Sequence, residues 1–181
     1  MKNILVTGSP GFIGSNLVTR LRQELEEGTV VSLDNMNSYY EVSLKEWRLD
    51  RIGAMDSPVR HVFVKGNLAD HGLVEELFET YRFDTVVNLA AQAGVRYSID
   101  HPDVYIESNI IGFYNILEAC RHHPVEHLVY ASSSSVYGGN KKVPFSTEDM
   151  TDRPVSLYAA TKKSDELLAH AYSTLYQIPA T

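Results

Sequence analysis

Cysteine is nearly absent from this sequence: Cys120 is the single one among 181 residues. One thiol cannot form an intramolecular disulfide, which suits a reducing compartment. Basic runs are missing too. Lys and Arg number 16 against 23 acidic residues, a formal net charge of -7, and no run exceeds the pairs Lys141-Lys142 and Lys162-Lys163. A nucleic-acid footprint needs a basic patch, so no nucleic-acid partner is expected, while a local site for an anionic ligand stays open. No stretch approaches the ~18 apolar residues of a membrane span. The run Ile4-Leu5-Val6 is far too short for a signal peptide and soon meets Gly8. Internal repeats and low-complexity segments are also lacking. These absences predict a soluble, cytoplasmic protein with no membrane partner.

What is present is ordinary globular composition, 44% hydrophobic and 22% charged, at a length that suits one large domain. Short apolar runs alternate with helical patterns. Ile4-Leu5-Val6 precedes Phe12, Ile13, Leu17, Leu21 and Leu25; Val30-Val31-Ser32-Leu33 precedes a polar segment with Leu44, Trp47, Leu49 and Ile52. His61 to Val64 precedes Leu73, Leu77 and Phe78, and Thr85 to Leu89 precedes a helix through Tyr105, Ile110, Phe113 and Leu117. His127 to Ala131 precedes a loop, then a helix from about Val155 to Tyr176. Continuous apolar strands with helices between them predict an α/β, doubly wound parallel sheet over residues 1–181. Ile178-Pro179-Ala180-Thr181 reads as the approach to a sixth strand, so the chain is expected to be the N-terminal part of a longer one.

Thr7-Gly8-Ser9-Pro10-Gly11-Phe12-Ile13-Gly14 follows the first strand and opens a helix. Gly8 permits a tight turn, Gly11 lets backbone N–H groups approach a pyrophosphate, and Gly14 lets helix and strand pack closely. The helix N-terminus adds unpaired N–H groups and partial positive charge. Asp34 ends the second strand 20 residues after Gly14. A carboxylate there accepts from ribose hydroxyls and repels a 2′-phosphate, which predicts NAD over NADP.

Two Tyr-x-x-x-Lys spacings occur, Tyr137…Lys141 and Tyr158…Lys162. The first spans Gly-Gly-Asn, a turn sequence. The second lies in a helical pattern, where positions four apart share a face. An ammonium beside a phenol favours the phenolate and lowers its pKa from about 10, so that the phenol can take a proton from an alcohol. Ser132 to Ser135 follow the fifth strand, at the end of an open parallel sheet where ligands bind, and their hydroxyls suit an alcohol or carbonyl oxygen. By themselves they also read as a polar loop. His122, His123 and His127 lack an acid or cysteine to complete a metal site, so no metal is expected. Trp47 is expected to pack rather than stack on a base.

Together the glycine turn, Asn88-Leu89-Ala90-Ala91, Ser132 to Gly138 and Tyr158-x-x-x-Lys162 resemble the extended short-chain dehydrogenase/reductases, the NAD-dependent epimerase/dehydratase family. Asp34 to Tyr40, Gln92 to Ser98, Ala131 to Asn140 and Ser156 to Lys163 resemble its UDP-glucuronate 4-epimerases. The resemblance implies a Rossmann fold, bound NAD, a UDP-sugar substrate, and oxidation then re-reduction at C4 that interconverts UDP-glucuronate and UDP-galacturonate. It implies Tyr158 as base, Lys162 as ribose holder, and Ser133 as the catalytic hydroxyl, with Ser134 and Ser135 on the sugar. Arg96 is a candidate for the uronate carboxylate, or equally a surface cation. Gly8, Gly11, Phe12, Ile13, Gly14, Asp34, Asn35, Asn67, Leu68, Leu89, Ala90, Ala91, Gln92, Asn109, Tyr158 and Lys162 are the implied cofactor contacts. Two departures stand out. Asn67 replaces the usual acid that meets the adenine amine, leaving an amide oxygen to accept it. The family's substrate domain would lie beyond Thr181, so a fragment that binds NAD without turnover is one alternative. Epimerisation of another UDP-hexose is another. A 4,6-dehydratase would need an Asp-Glu pair where Ser134 and Ser135 stand. The family's helix pairing implies a homodimer through residues around 100–122 and 155–176.

Overall fold

A computed structural model describes residues 2–181. Five strands, β1 (Lys2–Thr7), β2 (Gly28–Asp34), β3 (Arg60–Lys65), β4 (Thr85–Asn88) and β5 (His127–Tyr130), form one parallel sheet in the order β3-β2-β1-β4-β5. Helices α1 (Phe12–Glu24) and α2 (Val42–Gly53) make the crossovers from β1 to β2 and β2 to β3. The chain then crosses back through α3 (His71–Tyr81) to β4, on the far side of β1. Right-handed crossovers in opposite directions put helices on opposite faces.

Side-chain alternation divides the core accordingly. Leu5, Val31, Leu33, Val86 and Leu128 point to one face, where they pack against Val74, Leu77 and Phe78 of α3 and residues of the later helices. Ile4, Val6 and Val30 point to the other, against Val18 of α1 and Ile52 of α2. Each such fully buried side chain contributes about 1.5–3 kcal/mol.

The helix foreseen through Tyr105 and Leu117 is broken. It consists of α4 (Tyr97–Asp100), α5 (Pro102–Tyr105), a π-helical segment Ile106–Ile111 and α6 (Gly112–His122). Pro102 cannot continue α4, and the wide π turn carries Asn109 into the interior. A 3-10 turn, Ser134–Tyr137, follows β5, and α7 (Leu157–Tyr176) begins where Ser156 Oγ caps Ala159 N at 3.1 Å. After α7, Ala180 pairs in parallel with Leu128, adding the start of a sixth run beside β5. Trp47 departs from expectation: 52% exposed, it lies beneath the Arg51 guanidinium instead of in the core.

Candidate active site

The strand order reverses between β1 and β4, and there the two strands end side by side at Thr7 and Asn88. In an open α/β sheet this reversal opens the ligand crevice. Buried Thr7 Oγ1 donates to Asn88 Oδ1 (2.7 Å) and accepts from Leu89 N and Ala90 N (3.1 and 3.0 Å). One hydroxyl thus holds Leu89 and Ala90 at the end of β4. Gly8 has φ +67°, and a Cβ there would lie 2.8 Å from Ala90 N. At Gly14 a Cβ would meet Gly8 O and lie 2.7 Å from Ser9 Cα, so α1 seats on the turn only with glycine.

Helix α1 opens on Gly11 with no side-chain cap. Its first-turn N–H groups therefore lack the usual intrahelical partners and carry the positive end of the helix dipole. Ser9 Oγ is buried beside them with no partner among the described residues. Phe12 and Ile13, 74% and 66% exposed, keep their side chains out of the interior. Such a set of donors fits a pyrophosphate.

Asp34 stands one strand over. Its Oδ1 accepts from Met36 N (2.7 Å) and lies 3.4 Å from Lys45 Nζ. Asn35 Oδ1 accepts from Asn37 N at 3.0 Å. Gly66 N donates to Asp34 O, which brings Asn67 alongside. The amide oxygen of Asn67 accepts from Ala69 N (3.0 Å), and Nδ2 donates to Glu107 Oε1 (2.7 Å). The Asn67 amide is thus engaged within the protein, and the exposed Glu107 supplies a carboxylate next to it. Leu68 is buried under this pair.

On the other side, Asn109 Oδ1 accepts from Gln92 N (2.7 Å), while Nδ2 donates to Gln92 O (3.1 Å) and Thr161 Oγ1 (2.9 Å). Thr161 Oγ1 donates in turn to Tyr158 O at 2.8 Å. A continuous path therefore runs from the glycine turn through Ala90 and Gln92 to the first turns of α7. The half-buried Tyr158 ring meets Tyr105 edge to face, centroids 6.0 Å apart. Tyr105 OH donates to Ala93 O, and burial pushes that phenol up to about 12. Lys162 is buried, and its ammonium bonds Asp165 Oδ2 at 2.6 Å rather than the Tyr158 phenol. Burial pushes the Asp165 carboxyl up, with Lys162 only partly opposing. Asp165 Oδ1 has no partner among the described residues.

The four serines separate into distinct environments. Ser132 Oγ donates to Glu166 Oε1 (2.6 Å). Ser133 Oγ accepts from Ser135 N (3.2 Å) and Ser135 Oγ (2.9 Å), and Ser134 is exposed. Arg96 is exposed at the start of α4. The other Tyr-x-x-x-Lys spacing falls on the 3-10 turn and the loop after it, and Tyr137 stacks on Phe145. Among the described residues no three His, Cys, Asp or Glu side chains are grouped to hold a metal, and no helix is long and apolar enough to cross a membrane. Lys45, Glu107 and Asp165 are site-forming residues that sequence reasoning did not single out, and Thr7 and Asn88 stood in its motifs with no role assigned. Thr7 and Asn88 carried a signal, since both end strands at the sheet's reversal.

The topology and the glycine turn define a Rossmann-type domain of the extended short-chain dehydrogenase/reductase class. Within that class the chain belongs to the NAD-dependent epimerase/dehydratase type described as GDP-mannose 4,6 dehydratase, whose family model matches residues 5–181. Protein CapI of Staphylococcus aureus is 53% identical over 98% of this chain and 52% of its own length. UDP-glucuronate 4-epimerase 2 of Arabidopsis thaliana is 46% identical over 99% of this chain and 40% of its own. The crystal structure of the UDP-glucuronic acid 4-epimerase from Bacillus cereus, in complex with UDP-glucuronic acid and NAD, superposes with a TM-score of 0.87. It is 32% identical, over 99% of this chain and 55% of that one. The chain spans about half the length of the relatives it matches.

Proposed function

We propose that the protein is an NAD-dependent UDP-sugar 4-epimerase whose substrate pair is UDP-glucuronate and UDP-galacturonate. The observation that carries this reading is the hydrogen-bonded path joining the glycine turn, through Ala90, Gln92, Asn109 and Thr161, to Tyr158. It ties the start of α7, at the Tyr158 backbone carbonyl, to the strip beside the glycine turn, which supports a dinucleotide cradle and a phenol sharing one crevice. The orphaned Ser9 Oγ, the uncapped first turn of α1 and the Cβ-free positions 8, 11 and 14 fit a pyrophosphate. Gly8, Gly11, Phe12, Ile13 and Gly14 would hold the phosphates, Asp34 and Asn35 the adenosine ribose, and Asn67 and Leu68 the adenine side. Leu89, Ala90 and Ala91 would line the dinucleotide. Gln92 and Asn109 fix the wall behind it through their own bonds. Bound there, NAD supplies a reversible acceptor for a hydride from the sugar.

The chain's own groups supply the proton chemistry. Tyr158 takes the proton of the sugar hydroxyl under oxidation and returns it after the sugar has turned over. Lys162, bonded to Asp165 in this structure, would hold the nicotinamide ribose and lend its positive charge to the phenol. Ser133 donates to the same sugar oxygen, a role in which a positioned hydroxyl stabilises developing charge. Ser134, Ser135 and Arg96 face the remaining sugar groups and the uronate. The UDP-glucuronate 4-epimerase relatives and the Bacillus cereus neighbour support the uronate over a neutral hexose. The exposed Tyr114, Leu167 and Leu175 on α6 and α7 suit pairing of two copies.

The test is turnover of the full-length protein with UDP-glucuronate, following UDP-galacturonate, together with NAD titration of this chain. Product from the uronate and tight NAD binding are expected. Activity on UDP-glucose alone overturns the substrate assignment, and absence of NAD binding overturns the whole reading.

A further inference from the structure

Lys45 has no place in the sequence motifs, yet it is one of the most buried charges in the molecule. Its side chain is 8% exposed and that of Asp34 12%. The ammonium has three donors and three acceptors: Asp34 Oδ1 (3.4 Å), Asn37 O (3.1 Å) and Asn37 Oδ1 (3.4 Å). Asp34 Oδ1 also receives Met36 N at 2.7 Å. Both protein partners of this carboxylate therefore fall on one oxygen, and Oδ2 is left without one among the described residues. Met36 is held at φ +55°, a left-handed backbone that the Asp34 and Lys45 bonds on either side of it stabilise. Three residues along α2, Arg48 Nη1 donates to Pro10 O at 3.1 Å, so the same helix also grips the glycine turn.

We propose that Lys45 is a positioning residue that sets how this chain reads the adenosine ribose. By occupying Asp34 Oδ1 and the loop behind it, Lys45 fixes the carboxylate with Oδ2 as the oxygen offered to the ribose hydroxyls. By neutralising Asp34 it also moderates the repulsion that a bare acid would exert on a 2′-phosphate. The preference for a dinucleotide without that phosphate is then set by the pair, and Lys45 limits it. The inference rests on the reading of Asp34 as the ribose acid. A partner that only supported the loop would affect both dinucleotides alike. A partner that also balances charge acts on their ratio.

The experiment measures Kd for NAD and for NADP on the protein and on Lys45→Met, Lys45→Gln and Lys45→Arg, with thermal melts to confirm folding. In Lys45→Met, NAD binding weakens about tenfold and NADP binding about a hundredfold, so the ratio of the two Kd values rises about tenfold. Lys45→Gln, which retains hydrogen bonding without charge, raises the ratio as well. Lys45→Arg restores it. An unchanged ratio in the folded Lys45→Met and Lys45→Gln proteins overturns the inference while leaving the NAD site standing. If the parent protein binds neither dinucleotide, the site reading itself falls and the inference with it.

Discussion

Asn109 Nδ2 donates to Thr161 Oγ1 across 2.9 Å, joining the π-helical segment to α7 one residue before Lys162. The same amide bonds both the N–H and the C=O of Gln92, and both residues are buried. Truncation to Asn109→Ala strands two buried backbone groups, Gln92 N and O, and removes the donor to Thr161 Oγ1, which keeps its bond to Tyr158 O. A loss of about 2–4 kcal/mol in unfolding free energy is expected, because orphaned groups cost their full desolvation. Urea denaturation measures it. A loss under about 0.5 kcal/mol would mean that water replaces the amide and the hub is not structural.

Tyr158→Phe separates the ring from the hydroxyl. The phenyl ring keeps its edge-to-face contact with Tyr105, so stability is expected to stay within about 0.5 kcal/mol of the parent. Loss of the proton acceptor should lower turnover of the full-length protein by about 100-fold or more. Dinucleotide affinity should change little. Parent-like turnover would remove Tyr158 from the chemistry.

The strands, the glycine turn and Asp34 were readable because each is a local pattern. The strands are short continuous apolar runs, and a turn, a helix start and an acid follow at short range. The partners that complete the site join elements through the topology, and no local pattern announces them. Asn67 meets Glu107 at a separation of 40 residues, and Ser132 meets Glu166 at 34. Lys45, Glu107 and Asp165 sit on helical segments whose charges look solvated from sequence. Only the packed structure, in which both are buried, shows that Lys45 and Asp165 turn inward. The break at Pro102 was visible as a proline, but the π turn that buries Asn109 depends on packing and has no signature of its own.

Gly14→Ala tests the cradle. The added methyl would meet Gly8 O and Ser9 Cα, both backbone, so neither can swing aside. Either α1 lifts from the turn or the turn opens. Loss of NAD binding by about 100-fold and a cost of about 1–3 kcal/mol in stability are expected, the range for overpacking. Gly53→Ala serves as control, since a Cβ there meets nothing within 4 Å. Its dinucleotide affinity should equal the parent's. Full NAD binding by Gly14→Ala would show that the phosphates lie elsewhere.

His61 and Asp165 pull the acid side of the stability profile in opposite directions. Burial, reinforced by the Arg22 charge, lowers His61 from 6.5 to about 4, and its Nε2 lies 2.9 Å from Ser32 Oγ. Between those two values the unfolded chain holds a proton that the folded one refuses, so this contribution is complete above pH 6.5 and is lost as pH falls toward 4. Burial of Asp165 raises its carboxyl from 3.8 to about 6, against the pull of Lys162. There the folded chain holds the extra proton, so stability from this group falls as pH rises from 3.8 to 6. His61→Gln, whose amide can still reach Ser32, should therefore flatten the loss between pH 7.5 and 5. The half-buried ring keeps part of its hydration, so the effect is discounted to about 1 kcal/mol. Asp165→Asn removes the opposing group and should steepen the same loss. Urea denaturation of the three proteins near pH 5 and pH 7.5 decides it. Equal slopes for parent and His61→Gln would mean that His61 is charged in the folded protein, and equal slopes for parent and Asp165→Asn would mean that Lys162 holds Asp165 ionised throughout.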